Sequence, residues 1–300
     1  MADAPPQPSA KTGPPVPKSP GLKPDLATLG GIALALGGIL GGLLLEKGSI
    51  QDVAQATAAM IVMGGTLGAV LVTTPLGVFV RACKGLGSAF FERGSSTAAT
   101  VDSLIQYATK ARKNGIVSLE AEAAAIADPF LRKALNLAVD GTDLQELRKM
   151  MELDIALSEQ ASEAEARVWE AAGGYAPTIG IIGAVMGLIQ VMKNLEDIKA
   201  VGHGIAVAFV ATVYGVASAN IFFLPVANKL KGRTRAATLL KDLTLEGVGG
   251  IVEGLNPTLI RLKLEAYNQD SAKPAKAKAG KAANSAAKTV LAGQPAPHQS

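Results

Sequence analysis

The sequence predicts an all-α membrane protein with four transmembrane helices in two hairpins and a helical cytoplasmic insert between helices 2 and 3. Three observations point there. Four apolar runs without Asp, Glu, Lys or Arg occupy 26–45, 53–78, 175–192 and 201–226, each long enough to cross about 30 Å of hydrocarbon. Only 18% of residues are charged and mean hydropathy is +0.29, where a soluble domain carries about 25% charge. Finally, 33 glycines and 4% aromatics put small side chains where a soluble core uses large ones.

Residues 1–24 are rich in Pro, Ala and Lys and read as a disordered cytoplasmic tail. They are too Pro-rich for a signal peptide. The first hairpin covers 25–80: Glu46 and Lys47 close the first span, and Arg81 and Lys84 close the second, which contains "MGGTLGAVLVTTPLGVFV". The insert, 81–171, mixes acids and bases evenly and spaces Leu144, Leu147, Met150, Met151 and Ile155 as a helix does. "SLEAE" and "DPFLRKAL" are helix starts. The second hairpin covers 172–228, turning at "KNLEDIK". A cytoplasmic helix follows over 229–267, then a disordered basic tail over 268–300 with five lysines and no acid after Asp270. The tail reads as solvated, with attraction to an anionic leaflet as the alternative. No aromatic residue is interleaved with its lysines, which argues against nucleic acid.

Positive charge fixes orientation. Lys11, Lys18, Lys23, Arg81, Lys84, Lys229, Lys231, Arg233, Arg235 and Lys241 fall on one side, against Lys47, Lys193 and Lys199 on the other. Both termini and the insert are therefore expected in the cytoplasm. Cys83 is the single cysteine and His203 and His298 the two histidines, so neither a disulfide nor a cysteine- or histidine-rich metal centre is available. No nucleophile, base and oxyanion donor can be assembled, which argues against an enzyme. No cofactor is expected.

Interior glycines cost helix stability in water, yet in lipid they let helices approach closely. Gly180, Gly183, Ala184 and Gly187 share one face of the third span. Gly204, Ala208, Ala211, Thr212, Gly215 and Ala219 offer a matching face on the fourth. Gly180, Gly183, Gly187, Ala208 and Gly215 are thus the packing seam. Pro177 and Pro225 lie near the cytoplasmic ends of these spans, at similar depth, and suggest a hinge or gate beyond ordinary helix kinks. Trp169 and Tyr175 suit the headgroup level. The spans hold no carboxylate or Lys/Arg, so the chain can line an ion path, through Thr212 and also Thr73 and Thr74, but cannot shuttle a proton alone.

The two hairpins around the insert, "ARKNGIVSLE", "GGYAPTIGIIGAVMGLIQVM" and "AVAFVATVYGVASANIFFLPVANKLK" resemble the MotA/PomA flagellar stator subunits of the MotA/TolQ/ExbB proton channel superfamily, over about residues 25–267. The resemblance implies that Arg112, Lys113 and Glu120 engage a FliG-type rotor protein. It also implies a homo-oligomeric ring, a pentamer around two copies of a MotB-type single-span subunit. That partner binds peptidoglycan and brings the membrane Asp, in the bacterial inner membrane. Pro177, Ala184, Thr212 and Pro225 then belong to the ion pathway and its gate. The family's sodium-driven members have a threonine where this chain has Ala184, so the resemblance implies a proton as the transported ion, with sodium second. The alternatives are an ExbB/TolQ-type energiser of an outer-membrane system and a non-conducting scaffold. "NG" at Asn114–Gly115 argues that Arg112 and Glu120 do not share one unbroken helix.

Overall fold

A computed structural model describes residues 22–93, 97–265 and 267. Most of the two expected tails lies outside them. Helices dominate: α1 Leu26–Leu45, α2 Ile50–Val53, α3 Ala56–Thr73, α4 Leu76–Phe90, α5 Thr97–Asn114, α6 Glu120–Ala125, α7 Pro129–Val139, α8 Leu144–Lys193, α9 Ile198–Ala217 and α10 Leu224–Val252. A π-helical segment, Ser218–Phe223, joins α9 to α10, and residues 257–265 are helical again. The all-α expectation omitted one detail. Leu22–Pro24 (β1) pairs antiparallel with Phe91–Arg93 (β2), so the end of the expected disordered tail is ordered.

Four helices are long and apolar enough to cross a membrane: Leu26–Leu45, Ala56–Thr73, Leu144–Lys193 and Ile198–Val252. Their ends differ from the hydropathy boundaries in ways that local chemistry explains. The second apolar run is not one helix. Pro75 disfavours the helical region for the residue before it, and Thr74 is extended at φ −126°, ψ 131°. The helix therefore stops at Thr73, and Arg81 and Lys84 lie inside amphipathic α4 rather than at a span's end. The expected boundary at 171/172 falls within α8, whose 50 residues make a rod about 75 Å long. Hydropathy changes there but helix propensity does not: Glu, Ala, Arg and Leu precede the apolar segment. The polar turn between α8 and α9 is shorter than expected, because Asp197 caps α9 by accepting from the backbone N–H groups of Lys199 and Ala200.

The described residues form two compact units. The first takes 97–152 and 239–267. Leu104, Leu119, Leu135, Leu147, Met151, Leu243, Val248, Ile260 and Leu264 are buried in it. Met150, expected on the same face, is exposed. Asp128 caps α7 by accepting from Phe130 and Leu131 N–H, with Pro129 at the first helical position. Glu246 receives Lys263 and Arg148 and its carboxyl is held below the usual range, chiefly by the Lys263 hydrogen bond.

The second unit takes 22–93 and 153–238. Here α3 packs on α9, through Ala58 and Val62 against Val210 and Ala211. A second cluster gathers Val70, Ala82, Ala89, Trp169, Ala172, Ala176, Ala219, Phe223 and Val226. The tight first hairpin is not seen: α1 buries none of its residues and touches α2, α4 and the π segment. Trp169, expected at a headgroup level, is buried. It stacks on Phe223 at 6.3 Å and meets Phe222 edge-on at 6.1 Å. The wider π turn helps two consecutive phenylalanines reach one partner.

Candidate functional site

Two groups of residues carry the functional expectations. The first is the α5–α6 hairpin. Asn114 ends α5, Gly115 takes φ +82°, and a short 3₁₀ turn over Ile116–Leu119 leads into α6. Positive φ is strained for most residues and free for glycine. Arg112 and Lys113 therefore stand in the last turn of α5 and Glu120 in the first turn of α6. Each charge complements the dipole of its helix end. All three are exposed, and none makes an ion pair among the described residues. The pair that does close this hairpin is one the sequence reading missed: Lys110 to Glu122. An open groove of about 360 Å³, lined by Ile105, Gln106, Thr109, Lys110, Lys113 and Asn114, runs along α5 beside these charges.

The second group lines α8 and α9. A Cβ on Gly180 would sit 2.9 Å from the Ala211 carbonyl and 3.2 Å from Gly215 Cα. On Gly187 it would sit 2.7 Å from the Gly204 carbonyl and 2.8 Å from Ala208 N. On Gly215 it would lie 2.6 Å from the Ala176 carbonyl. Gly183 faces the Ala211 methyl at 2.8 Å by the same measure. Backbone meets backbone along this seam. Ala184 and Thr212 follow directly on the touching pair Gly183 and Ala211, and both are half-buried. The Thr212 hydroxyl donates to the Ala208 carbonyl at 3.2 Å, which leaves its oxygen free to accept.

The register of this antiparallel pair corrects one expectation. Gly173 meets Leu224 and Gly180 meets Gly215, so Pro177 faces the start of the π segment rather than Pro225. The two prolines nonetheless converge on one element. Pro225 cannot donate to the carbonyl of Ile221, four residues back and inside the π segment. The wider turn there is the backbone's accommodation of that loss. Thr73, expected on the path, is exposed and donates back to Ala69 and Val70. Thr66 on α3 is fully buried instead, and its hydroxyl has no hydrogen-bond partner among the described residues.

Asp25 is the other residue that sequence reasoning missed. It caps α1 by accepting from Thr28 N–H at 3.2 Å, its own N–H donates to the Phe90 carbonyl at 2.8 Å, and its carboxylate pairs with Lys229 and, at 3.3 Å, Arg233. Arg233 also donates to the Phe91 carbonyl. The Lys229 hydrogen bond, with help from Thr28, pulls the Asp25 pKa down to about 2. An Asp with a depressed folded-state pKa contributes stability that is full above its unfolded value, about 3.9, and lost as pH falls through the folded one. Asp25→Asn is therefore expected to lower the melting temperature of the purified protein at pH 7. The gap between variant and wild type should close as pH falls from about 4 toward 2. A gap that stays constant down to pH 2 excludes the clasp as a source of stability.

The comparisons with known proteins agree with this geometry. Residues 122–242 match the family model of the MotA/TolQ/ExbB proton channel family, and 29–115 match that of the motility protein A N-terminal region. Motility protein A of Helicobacter pylori is 35% identical over 243 residues, 81% of this chain and 95% of that protein. Chemotaxis protein PomA of Vibrio alginolyticus is 35% identical with the same two coverages. The solved structure of C. jejuni MotAB superposes with a TM-score of 0.77 at 32% identity, covering 81% of this chain and 95% of that one. Matched along both of its halves and built on apolar helices of spanning length, this chain belongs to the MotA/TolQ/ExbB proton channel family as a multi-pass flagellar stator subunit, a motor component rather than an enzyme.

Proposed function

We propose that this chain forms the outer wall of an ion channel whose carboxylate comes from a MotB-type partner, and that ion passage drives torque on a FliG-type rotor protein. One observation carries the reading: the apolar segments of α8 and α9 join through a glycine seam and present the Thr212 hydroxyl, with no acid, Lys or Arg. A wall of this kind guides a proton or a water but cannot hold a charge in the membrane. The similarity to C. jejuni MotAB supports a two-component assembly. The assembly is a ring, a pentamer, in the bacterial inner membrane, with four spans per chain, a cytoplasmic insert, and both termini inside. Vesicles holding the chain and its partner should conduct protons on demand of a membrane potential. Flux through the chain alone would sink the reading.

Pro177 and Pro225 are the gate residues. Each frees a backbone carbonyl, and both act on the π segment. Pro177→Leu and Pro225→Leu should reach the membrane at normal levels and turn no rotor; normal swimming in both removes the gate assignment.

The ion is a proton. Sodium needs several oxygen ligands to replace its hydration shell, and Ala184 supplies none beside Thr212. Swimming should persist in sodium-free medium and stop with a protonophore. Speed that follows sodium at constant proton-motive force would assign the other ion.

A further inference from the structure

The cations that follow the fourth apolar segment split into two sets. Lys229 and Arg233, four apart, share the side of α10 that Asp25 neutralises. Lys231 and Arg235, also four apart, turn to α8, where Glu163 and Arg167 form a facing four-residue pair. With Thr234 they line a cavity of about 160 Å³. Arg167 bonds Glu163 at 3.2 Å, and Lys231 bonds Glu170 at 2.6 Å. Arg235 has no carboxylate among the described residues. Arg167 and Lys231 are thus already paired, with Glu163 in the cavity wall and with Glu170 beside it, and Arg235 is the cation left over on a polar cavity to take an anion.

We propose that this cavity binds the phosphodiester headgroup of an anionic phospholipid. Its place in the chain favours a lipid over a soluble phosphate. Lys231 stands five residues past Val226, about 7.5 Å along the helix, at the outer edge of a headgroup layer roughly 5–7 Å thick; Arg235 stands about 13.5 Å past it, so its guanidinium meets that layer only through the length of its side chain. Side chains tilt toward the N-terminus of their helix. On α10 that direction leads back to the apolar segment, so Lys231 and Arg235 reach up toward the acyl boundary. Arg235 offers a planar fork for two phosphate oxygens, and the Thr234 hydroxyl lies on the same wall, although it also donates to the Leu230 carbonyl. The site rests on the membrane reading of α8 and α10 but not on ion flow.

The test uses the full chain purified with its partner in neutral detergent, with thermal unfolding as the readout. Phosphatidylglycerol should raise the midpoint more than phosphatidylcholine of the same acyl chains, with about tenfold tighter binding. The difference should shrink as salt rises. Arg235→Gln, which breaks no ion pair among the described residues, should remove the preference, while Arg132→Gln, on the exposed side of α7, should keep it. Equal response of the wild type to the two lipids overturns the proposal, and that measurement needs no variant. A preference that survives in both Arg235→Gln and Lys231→Gln/Arg235→Gln overturns it too. Inorganic phosphate producing the full shift overturns the lipid assignment. Failure of the chain to fractionate with membranes would instead sink the membrane reading.

Discussion

Gly215→Val should unfold far more readily than the wild type. Even the first atom of a side chain there would sit 2.6 Å from the Ala176 carbonyl and 3.0 Å from Gly180 Cα, and both are backbone. No rotamer change relieves such a clash, so α8 and α9 must separate. Overpacking in a tight site costs about 1–3 kcal/mol and occasionally more; with backbone on both sides the cost should lie at or above the top of that range. Separation also forfeits the close packing that substitutes for the hydrophobic effect in lipid. Gly187→Val meets the same obstacle at Gly204 and Ala208. Gly202→Ala is the control, because nothing lies within 4 Å of its added atom, and it should fall within about 1 kcal/mol of wild type. Unfolding in detergent reads all three. Gly215→Val melting with Gly202→Ala would show that the seam is dispensable.

Arg112→Glu and Glu120→Lys should abolish swimming while the protein accumulates, inserts and binds its partner normally. Both groups are exposed and neither makes an ion pair among the described residues, so reversal changes stability by only about 0.5 kcal/mol. If these charges meet the rotor as the family resemblance implies, what changes is the field offered to a charged rotor surface, where complementary charges set orientation and encounter rate. Reversing the opposing charge on the rotor should restore part of the torque. Lys110→Glu separates this role from simple structure. It breaks the pair with Glu122, whose second carboxylate oxygen is already buried without a hydrogen-bond partner among the described residues, so it should loosen the α5–α6 hairpin and resist rescue by any rotor variant. Wild-type torque under high load in both Arg112→Glu and Glu120→Lys would remove them from the rotor interface.

The four apolar segments, the α7 cap at Asp128–Pro129 and the turn at Asn114–Gly115 were legible in the sequence because each rests on chemistry within a few residues. So was the lack of Asp, Glu, Lys and Arg in the four apolar segments, since it is a matter of which side chains exist. The small-residue faces of the third and fourth spans were legible as faces, from spacing alone. Their register was not, because it depends on which backbone atoms meet: Gly173 at Leu224 and Gly180 at Gly215 move Pro177 away from Pro225 and onto the π segment. The break at Thr74–Pro75 was a local signal hidden by continuous hydropathy. Asp25, Lys229 and Arg233 lie more than 200 positions apart across one clasp, and no periodicity links residues that far apart. By itself the sequence determined where this protein is apolar, where helices begin and which charges are missing, since those follow from local composition. Only the tertiary structure decided which faces touch, which charges are neutralised and which stand free, because a contact's energy depends on distance in space and not along the chain.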